Sequence, residues 1–344
     1  MSLPPVEIPL GAMRFNSDSQ KLEYFNGEIW MQVHTFSPNL DGGGRGACFG
    51  GAGPSTPFPA QDTIDYVTIA TQGNAIDFGN LSTATQAGAA CGSATRGFFF
   101  GGMTPSFTNT IDYITWSSTG NATNFGDISD AVRYLGGANS STRALRMGGG
   151  TAAVTKNVID YWTMSSSGNA SDFGDMIMGG AQYIECASNP IMALGHLWNS
   201  GTGRLDYVTI ATTGNSLEFG GLNPRHDTGA MTGSNVTRGF FAGGYSPGAP
   251  EAGRNKISYV LWASKGSNTG FGELTAHRWQ TQGGSAASPT RIVWMGNGAG
   301  SNTGGEDHID YINPTTEGNA VDFGNLSASR WSAPTSSNTN GGTL

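Results

Sequence analysis

The sequence is short of charge. Asp, Glu, Lys and Arg supply 12% of its 344 residues, about half the usual share, so its polar surface has to come from Ser, Thr, Asn and Gly. The formal net charge is −8, which excludes sequence-independent capture of nucleic-acid phosphates, because that needs a cationic surface. Cysteine is scarce: only Cys48, Cys91 and Cys186 occur. Their odd number and irregular spacing give neither a disulfide framework nor a metal motif. They read as buried free thiols within inner strands. No apolar run approaches the ~18 residues of a membrane span. Met1-Ser2-Leu3-Pro4-Pro5 has neither a basic region nor an apolar core, so synthesis in a cytoplasm without a secretory signal is expected.

Glycine and aromatic residues are abundant. There are 54 Gly, with 8 Trp, 10 Tyr and 17 Phe. Many of the aromatics recur in register, a payload that disordered chains lack. The unit of recurrence is typified by Ile111-Asp112-Tyr113-Ile114-Thr115-Trp116, then Gly120-Asn121, then Phe125-Gly126. Six copies centre on Tyr66, Tyr113, Tyr161, Tyr207, Tyr259 and Tyr311. A period of about 50 residues means a stack or ring of one supersecondary unit.

Each copy predicts four short strands. Ile111–Trp116 carries apolar side chains on both faces, as a strand covered on both sides does. Gly120-Asn121 signals a hairpin turn leading to a strand that ends in Phe-Gly. Upstream lies a short apolar run closed by glycines, Thr95-Arg96-Gly97-Phe98-Phe99-Phe100-Gly101-Gly102. Before that comes a small-residue run, Gly88-Ala89-Ala90-Cys91-Gly92-Ser93, whose glycines mark close backbone approach. Four-stranded units at this period are propeller blades, with each Tyr and Phe wedged between neighbours. The first copy begins at its second strand, near Arg45. The missing strand appears after the sixth Phe-Gly, as Arg330-Trp331-Ser332-Ala333-Pro334-Thr335-Ser336-Ser337-Asn338. The arithmetic gives a six-bladed β-propeller whose C-terminal strand closes blade one.

The runs ending in Gly-Gly, the Tyr that follows, and Arg133, Arg225, Arg278 and Arg330 before the small-residue strands resemble kelch repeats over residues 45–340. Two features depart from that pattern. A Phe, not a Trp, follows each Tyr, and the double glycine is replaced at Gly195-His196 and Gly296-Asn297.

Residues 1–40 form a different module. After a Pro-rich lead, Gly11–Asn16, Lys21–Gly27 and Ile29–Val33 predict a three-stranded meander with Asn26-Gly27 at a hairpin. About 24 residues cannot bury a core alone, so the module has to dock on something. Gly11, Met13, Arg14, Phe15, Asn16, Leu22, Glu23, Tyr24, Phe25, Asn26, Gly27 and Trp30 resemble a short module of bacteriophage tail, fibre and other virion proteins. The resemblance implies attachment to a particle, with Phe15, Tyr24, Phe25 and Trp30 as anchor residues. A Pro/Gly-rich linker at 34–44 leads to a propeller over 41–344.

No catalytic set emerges. Asp77-Phe78-Gly79, Asp172-Phe173-Gly174 and Asp322-Phe323-Gly324 spell a kinase tripeptide, but the other kinase motifs are missing and the spacing is that of the repeat. Asp65, Asp112, Asp160, Asp206 and Asp310, with Ser258 in the remaining copy, share one position. They read as hydrogen-bonding groups within or between blades rather than as a calcium ring. The five histidines have no ligand spacing, and His226-Asp227 and Asp307-His308 read as solvated turns. The expectation is a non-enzymatic virion protein of the tail or fibre type, without cofactor or metal. Its partners would be other virion proteins and a host surface glycan or protein, with a homo-oligomer open. A capsid decoration protein, a carbohydrate-active or oxidative propeller enzyme and a cellular kelch-type scaffold are the alternatives, and fold alone does not choose among them.

Overall fold

A computed structural model describes residues 8–16, 21–32, 44–54, 58–199, 202–222, 226, 228–245, 255–278, 284–298 and 305–342. The chain divides into two compact units, Met1–Gly43 and Gly44–Leu344. The start of the Pro-rich lead and nearly all of the expected linker lie outside the described residues.

The first unit is an antiparallel sheet of β1 (Met13–Asn16), β2 (Lys21–Phe25) and β3 (Trp30–Gln32), in that order. Asn26-Gly27 does turn the chain, but the connection is wider than a two-residue hairpin. Phe25 pairs with Trp30, and the Asn26 side-chain oxygen accepts from the amides of Glu28 and Ile29 at 3.0 and 2.8 Å. Asn favours such turns because its side chain can hydrogen-bond the backbone two residues on.

The second unit is all-β and holds six four-stranded antiparallel sheets. Sheet 1 joins Thr335–Ser337, Arg45–Phe49, Thr63–Thr68 and Ile76–Asn80. Sheets 2 to 6 begin at Ala89, Gly136, Glu185, Thr228 and Ala286 and run in chain order, each from its small-residue strand to its Phe-Gly strand. The C-terminal strand thus completes sheet 1, with Thr335 opposite Cys48 and Ser337 opposite Gly46. An added strand satisfies a row of backbone groups that would otherwise form an open edge.

Each third strand meets its fourth across a β-bulge at the Phe of Phe-Gly. Ile111 pairs with Gly126 and Asp112 with Asn124, leaving Phe125 as the extra residue. The same shift strands Phe78, Phe173, Phe219, Phe271 and Phe323. A bulge re-aims a side chain, and here it sends a ring inward from a strand that is otherwise exposed. All six Phe are buried, each worth roughly 1.5–3 kcal/mol relative to exposure. The buried apolar clusters lie between consecutive sheets. Phe78 packs with Phe99, Ile114 and Trp116 of sheet 2, and Phe323 of sheet 6 packs with Cys48, Val67 and Ile69 of sheet 1.

The Gly-Asn signal is not a hairpin turn. Thr115 and Thr123 flank a seven-residue connection, and its Gly-Asn segment docks on the preceding sheet. Gly120 N–H donates to Phe78 O at 2.7 Å and Ala122 N–H to Asn80 O at 2.8 Å. The Asn121 side-chain oxygen accepts from the Asn80 amide at 3.1 Å. Equivalent bonds join sheet 3 to 2, 4 to 3, 6 to 5 and 1 to 6. A Cβ on Gly79 would collide with the Gly120 carbonyl, so close approach explains that glycine.

Candidate functional site

The alternation of β1–β3 sorts the first unit into two faces. One carries a satisfied polar set. Arg14 Nη2 lies 2.8 Å from Glu23 Oε2, Asn16 donates to Glu23 Oε1 at 2.9 Å, and the Arg14 guanidinium sits 4.1 Å above the Trp30 ring. The Asn16 and Arg14 hydrogen bonds hold the Glu23 carboxyl below its ordinary range, the Asn16 bond contributing most. Phe25 and Trp30 share this face, 5.5 Å apart. The other face presents Met13, Phe15, Leu22, Tyr24 and Met31, all exposed, with Phe15 at 66%. The four expected anchor residues therefore divide. Phe15 and Tyr24 belong to the open apolar face, whereas Phe25 and Trp30 are half-buried against the Arg14–Glu23 set.

In the second unit, the repeated carboxylate joins sheets. Asp112 Oδ2 accepts from the amide and hydroxyl of Ser82, at 2.9 and 2.6 Å, on the segment leaving sheet 1. Asp160 takes Ser129 in the same way, Asp206 takes the Met178 amide, Asp310 takes the Thr275 hydroxyl and Asp65 takes Ser327. Three of these carboxylates also hold a buried arginine. Asp310 pairs with Arg278 at 2.8 Å, Asp160 with Arg146 at 3.0 Å, and Asp65 with Arg330.

A second set of arginines, at the start of the second strands, reaches forward one sheet. Arg96 stacks 4.6 Å from the Tyr113 ring and donates to Met164 O at 2.9 Å. Arg45, Arg143, Arg238 and Arg291 repeat the arrangement. Sheet 4 has Met192 there, and Lys265 of sheet 5 covers its Tyr207 instead.

Two departures from the repeat fall in sheets 4 and 5. Ser258 replaces the aspartate, and His226 sits four residues beyond buried Leu222, as Arg278 and Arg330 sit beyond Leu274 and Leu326. His226 Nδ1–H donates to Gly243 O at 2.7 Å, so Nε2 receives the Ser258 hydroxyl at 2.7 Å. Asn268 donates to the same hydroxyl oxygen at 2.7 Å. A histidine–serine pair thus stands where other junctions have arginine and aspartate. His226 is therefore not the solvated turn residue the sequence suggests; it is 1% exposed. The donor order is that of a Ser–His dyad, but burial closes it to substrate-sized molecules. Arg225, read as the repeat arginine, and Asp227 lie outside the described residues.

The other departure is at His196, and the register corrects the sequence alignment. Gly195 stands opposite Asp206 as Phe99 stands opposite Asp112, so His196 takes the place of Phe100, and Leu197-Trp198, not Gly195-His196, replaces the double glycine. His196 Nδ1 lies 2.9 Å from Glu185 Oε2, and Gly229 N–H donates to Oε1 at 2.7 Å. Burial pushes the Glu185 carboxyl well above the usual range. No periodic signal marks Glu185, because sheets 2, 3 and 5 place the uncharged Ala89, Gly136 and Met231 there.

Residues from all six sheets line one narrow passage between the innermost strands, among them Ala90, Gly137, Cys186, Thr232, Gly284 and Pro334. A second pocket, which shares Ala90, Gly137, Cys186, Thr232 and Gly284 with the first, is lined also by Asn139, Ser188, Ser234, Ser285 and Ser336. Among the described residues Glu185 is the single carboxylate on this lining. Cys91 and Cys186 lie on innermost strands, but Cys48 lies on a second strand. All three are buried, and burial raises each thiol, Cys48 to about 11.

Glu306, Asp307 and His308 place one potential ligand atom each within 4.8 Å of one another. They stand on the strand Gly305–Ile312 rather than in a turn. Among the described residues no helix is long and apolar enough to cross a membrane. A scan against models of protein families finds no match, and neither does a search of the curated proteins.

Proposed function

We propose that this chain is a non-enzymatic structural protein of a bacteriophage particle, of the tail or fibre type. In this reading residues 44–344 form a six-bladed, kelch-like β-propeller, and the N-terminal sheet attaches it to another virion protein. The order of contacts supports the propeller: the Gly-Asn bonds join sheets 1 to 2, 2 to 3, 3 to 4 and 5 to 6, the Thr232 hydroxyl donates from sheet 5 to Cys186 O of sheet 4, and the sixth sheet clasps the first through Gly73 N–H to Phe323 O.

The observation that carries the functional reading is the apolar face of Met13, Phe15, Leu22, Tyr24 and Met31. A small sheet needs a covering layer to be stable, and a contiguous exposed apolar patch marks an interaction surface. The polar groups that could have carried chemistry support a structural role too, since Asp65, Asp160, Asp310, Arg278, Arg330, Ser258 and His226 are spent on joining sheets. A surface with little charge also has little for salt to screen.

Immunogold labelling of purified particles of the virus that encodes the chain tests this reading. Gold at a repeated position on intact particles is the expected result. Particles that carry none, prepared from lysates in which the protein is abundant, would overturn it.

A further inference from the structure

The junction between sheets 1 and 2 lacks the buried arginine that pairs with the repeated aspartate at the junctions of sheets 6 and 1, 5 and 6, and 2 and 3. At the junction of sheets 6 and 1, Arg330 donates through Nη1 to Gly50 O and Thr63 O, at 3.3 and 2.8 Å, and through Nη2 to Asp65. At the junction of sheets 5 and 6, Arg278 does the same with Gly296 O at 2.6 Å, His308 O at 3.1 Å and Asp310 at 2.8 Å. At the junction of sheets 4 and 5, His226 takes the place of the arginine.

Between sheets 1 and 2 the equivalent residue is Thr85. It stands four residues beyond buried Leu81, and its carbonyl accepts from the second glycine of its sheet, Gly51, as Arg278 O accepts from Gly244. The acceptors are still in place. Asp112 is 4% exposed; its Oδ2 is held by Ser82, and its buried Oδ1, like Asp160 Oδ1, has no hydrogen-bond partner among the described residues. Gly101 N–H donates to Thr110 O at 3.1 Å, as Gly50 N–H does to Thr63 O at 3.0 Å, so the two backbones match where the arginine docks. The space a side chain would fill is a small cavity open to solvent, lined by Asp112, Gly101, Phe99, Ser82, Thr85 and Thr108. Phe99 occupies the strand position from which Arg146 fills the junction of sheets 2 and 3, and it brings no charge.

We infer that this cavity is a binding site for a guanidinium group, carried by a small molecule or by an arginine side chain of a partner. A buried carboxylate oxygen without a partner is costly. A planar fork of N–H donors suits one carboxylate with two carbonyls beside it better than a spherical ammonium or alkali ion does.

The test is thermal unfolding of the full chain in millimolar methylguanidinium, against ammonium, potassium and calcium chlorides at equal ionic strength. A ligand that binds only the folded state raises Tm with its concentration. A saturable rise specific to methylguanidinium is expected. Thr85→Arg should raise Tm by itself and abolish that response by filling the cavity from within. Asp112→Asn should also abolish it, and the arginine variant keeps the test decisive should the asparagine variant fail to fold. An N-acetyl-arginine amide that gives the same rise identifies a side chain as an admissible source; one that gives none confines the site to free small cations. Equal rises with calcium or potassium, no rise with methylguanidinium, or an unchanged response in the arginine variant would overturn the inference.

Discussion

The amide of Gly73 donates to the carbonyl of Phe323 at 2.9 Å, so the first Gly-Asn segment of the chain is seated on the last Phe-Gly bulge. Beside it the Asn74 side chain accepts from the Asn325 amide at 3.0 Å. The sixth sheet is thereby joined to the first by the same bonds that join the second to the first.

Removing residues 331–344 deletes the strand Thr335–Ser337 and bares the edge of Arg45–Phe49. An open edge is a template for pairing with other chains. The truncated protein should have a lowered Tm and elute as aggregates in light-scattering chromatography. A monomer with unchanged Tm would refute closure by this strand.

Gly126→Ala places a methyl against the Gly168 carbonyl of the next sheet, a backbone atom that cannot turn aside. Overpacking of this kind costs roughly 1–3 kcal/mol, and the residue's positive φ adds strain. Gly270 has nothing within 4 Å of its virtual Cβ, so Gly270→Ala should be close to neutral. Urea unfolding of the two variants compares them directly.

These contacts show which part of the molecule was legible in the sequence. The six copies, the four strands of each and the returning C-terminal strand follow from periodicity and alternation, which are local. The job of Gly120-Asn121 does not, because its partner is the bulge at Phe78-Gly79, one full repeat away. The bulge itself leaves no mark in an alternation pattern; Phe125 looks like an ordinary strand residue until its register is known. The replacement of an arginine–aspartate pair by His226 and Ser258 is hidden for the same reason. Each substitution alone looks like a lapse in the repeat, and only their 2.7 Å contact makes them one change. At the N-terminus composition identified the aromatic residues, but pairing decided their faces. Phe25 opposite Trp30 puts both on the side of Arg14 and Glu23.

Asp65→Asn leaves Arg330, 2% exposed, without its counter-charge. Breaking one side of a buried pair costs about 3–5 kcal/mol. Ser258→Ala in sheet 5 removes only a neutral partner of His226, and its cost should be about 1–3 kcal/mol. If both variants lose the same small amount, the buried ion pair is not what secures its junction.

Glu185 introduces a pH dependence. Burial raises its folded carboxyl above the unfolded value, so between the two the folded state holds more protons. The contribution is present in full below the unfolded value of about 4.3 and is lost as pH rises through the raised folded value. Chemical denaturation at a series of pH values should show stability falling across that window, and Glu185→Gln should flatten the slope. An unchanged slope in the variant would assign the proton to another group, with His196, its direct partner, the first to examine.

The central claim is that the face of Met13, Phe15, Leu22, Tyr24 and Met31 holds the protein on a phage particle. Occupancy of Phe15→Lys/Tyr24→Lys protein on purified particles, quantified by mass spectrometry against a Trp30→Ala variant, tests it most directly. Charge on the open face should abolish incorporation while the melting of residues 44–344 stays unchanged. Trp30→Ala, which alters the face stacked against Arg14, should reduce incorporation far less. Normal occupancy of the doubly charged variant would contradict the account and move attachment to the six-sheet unit.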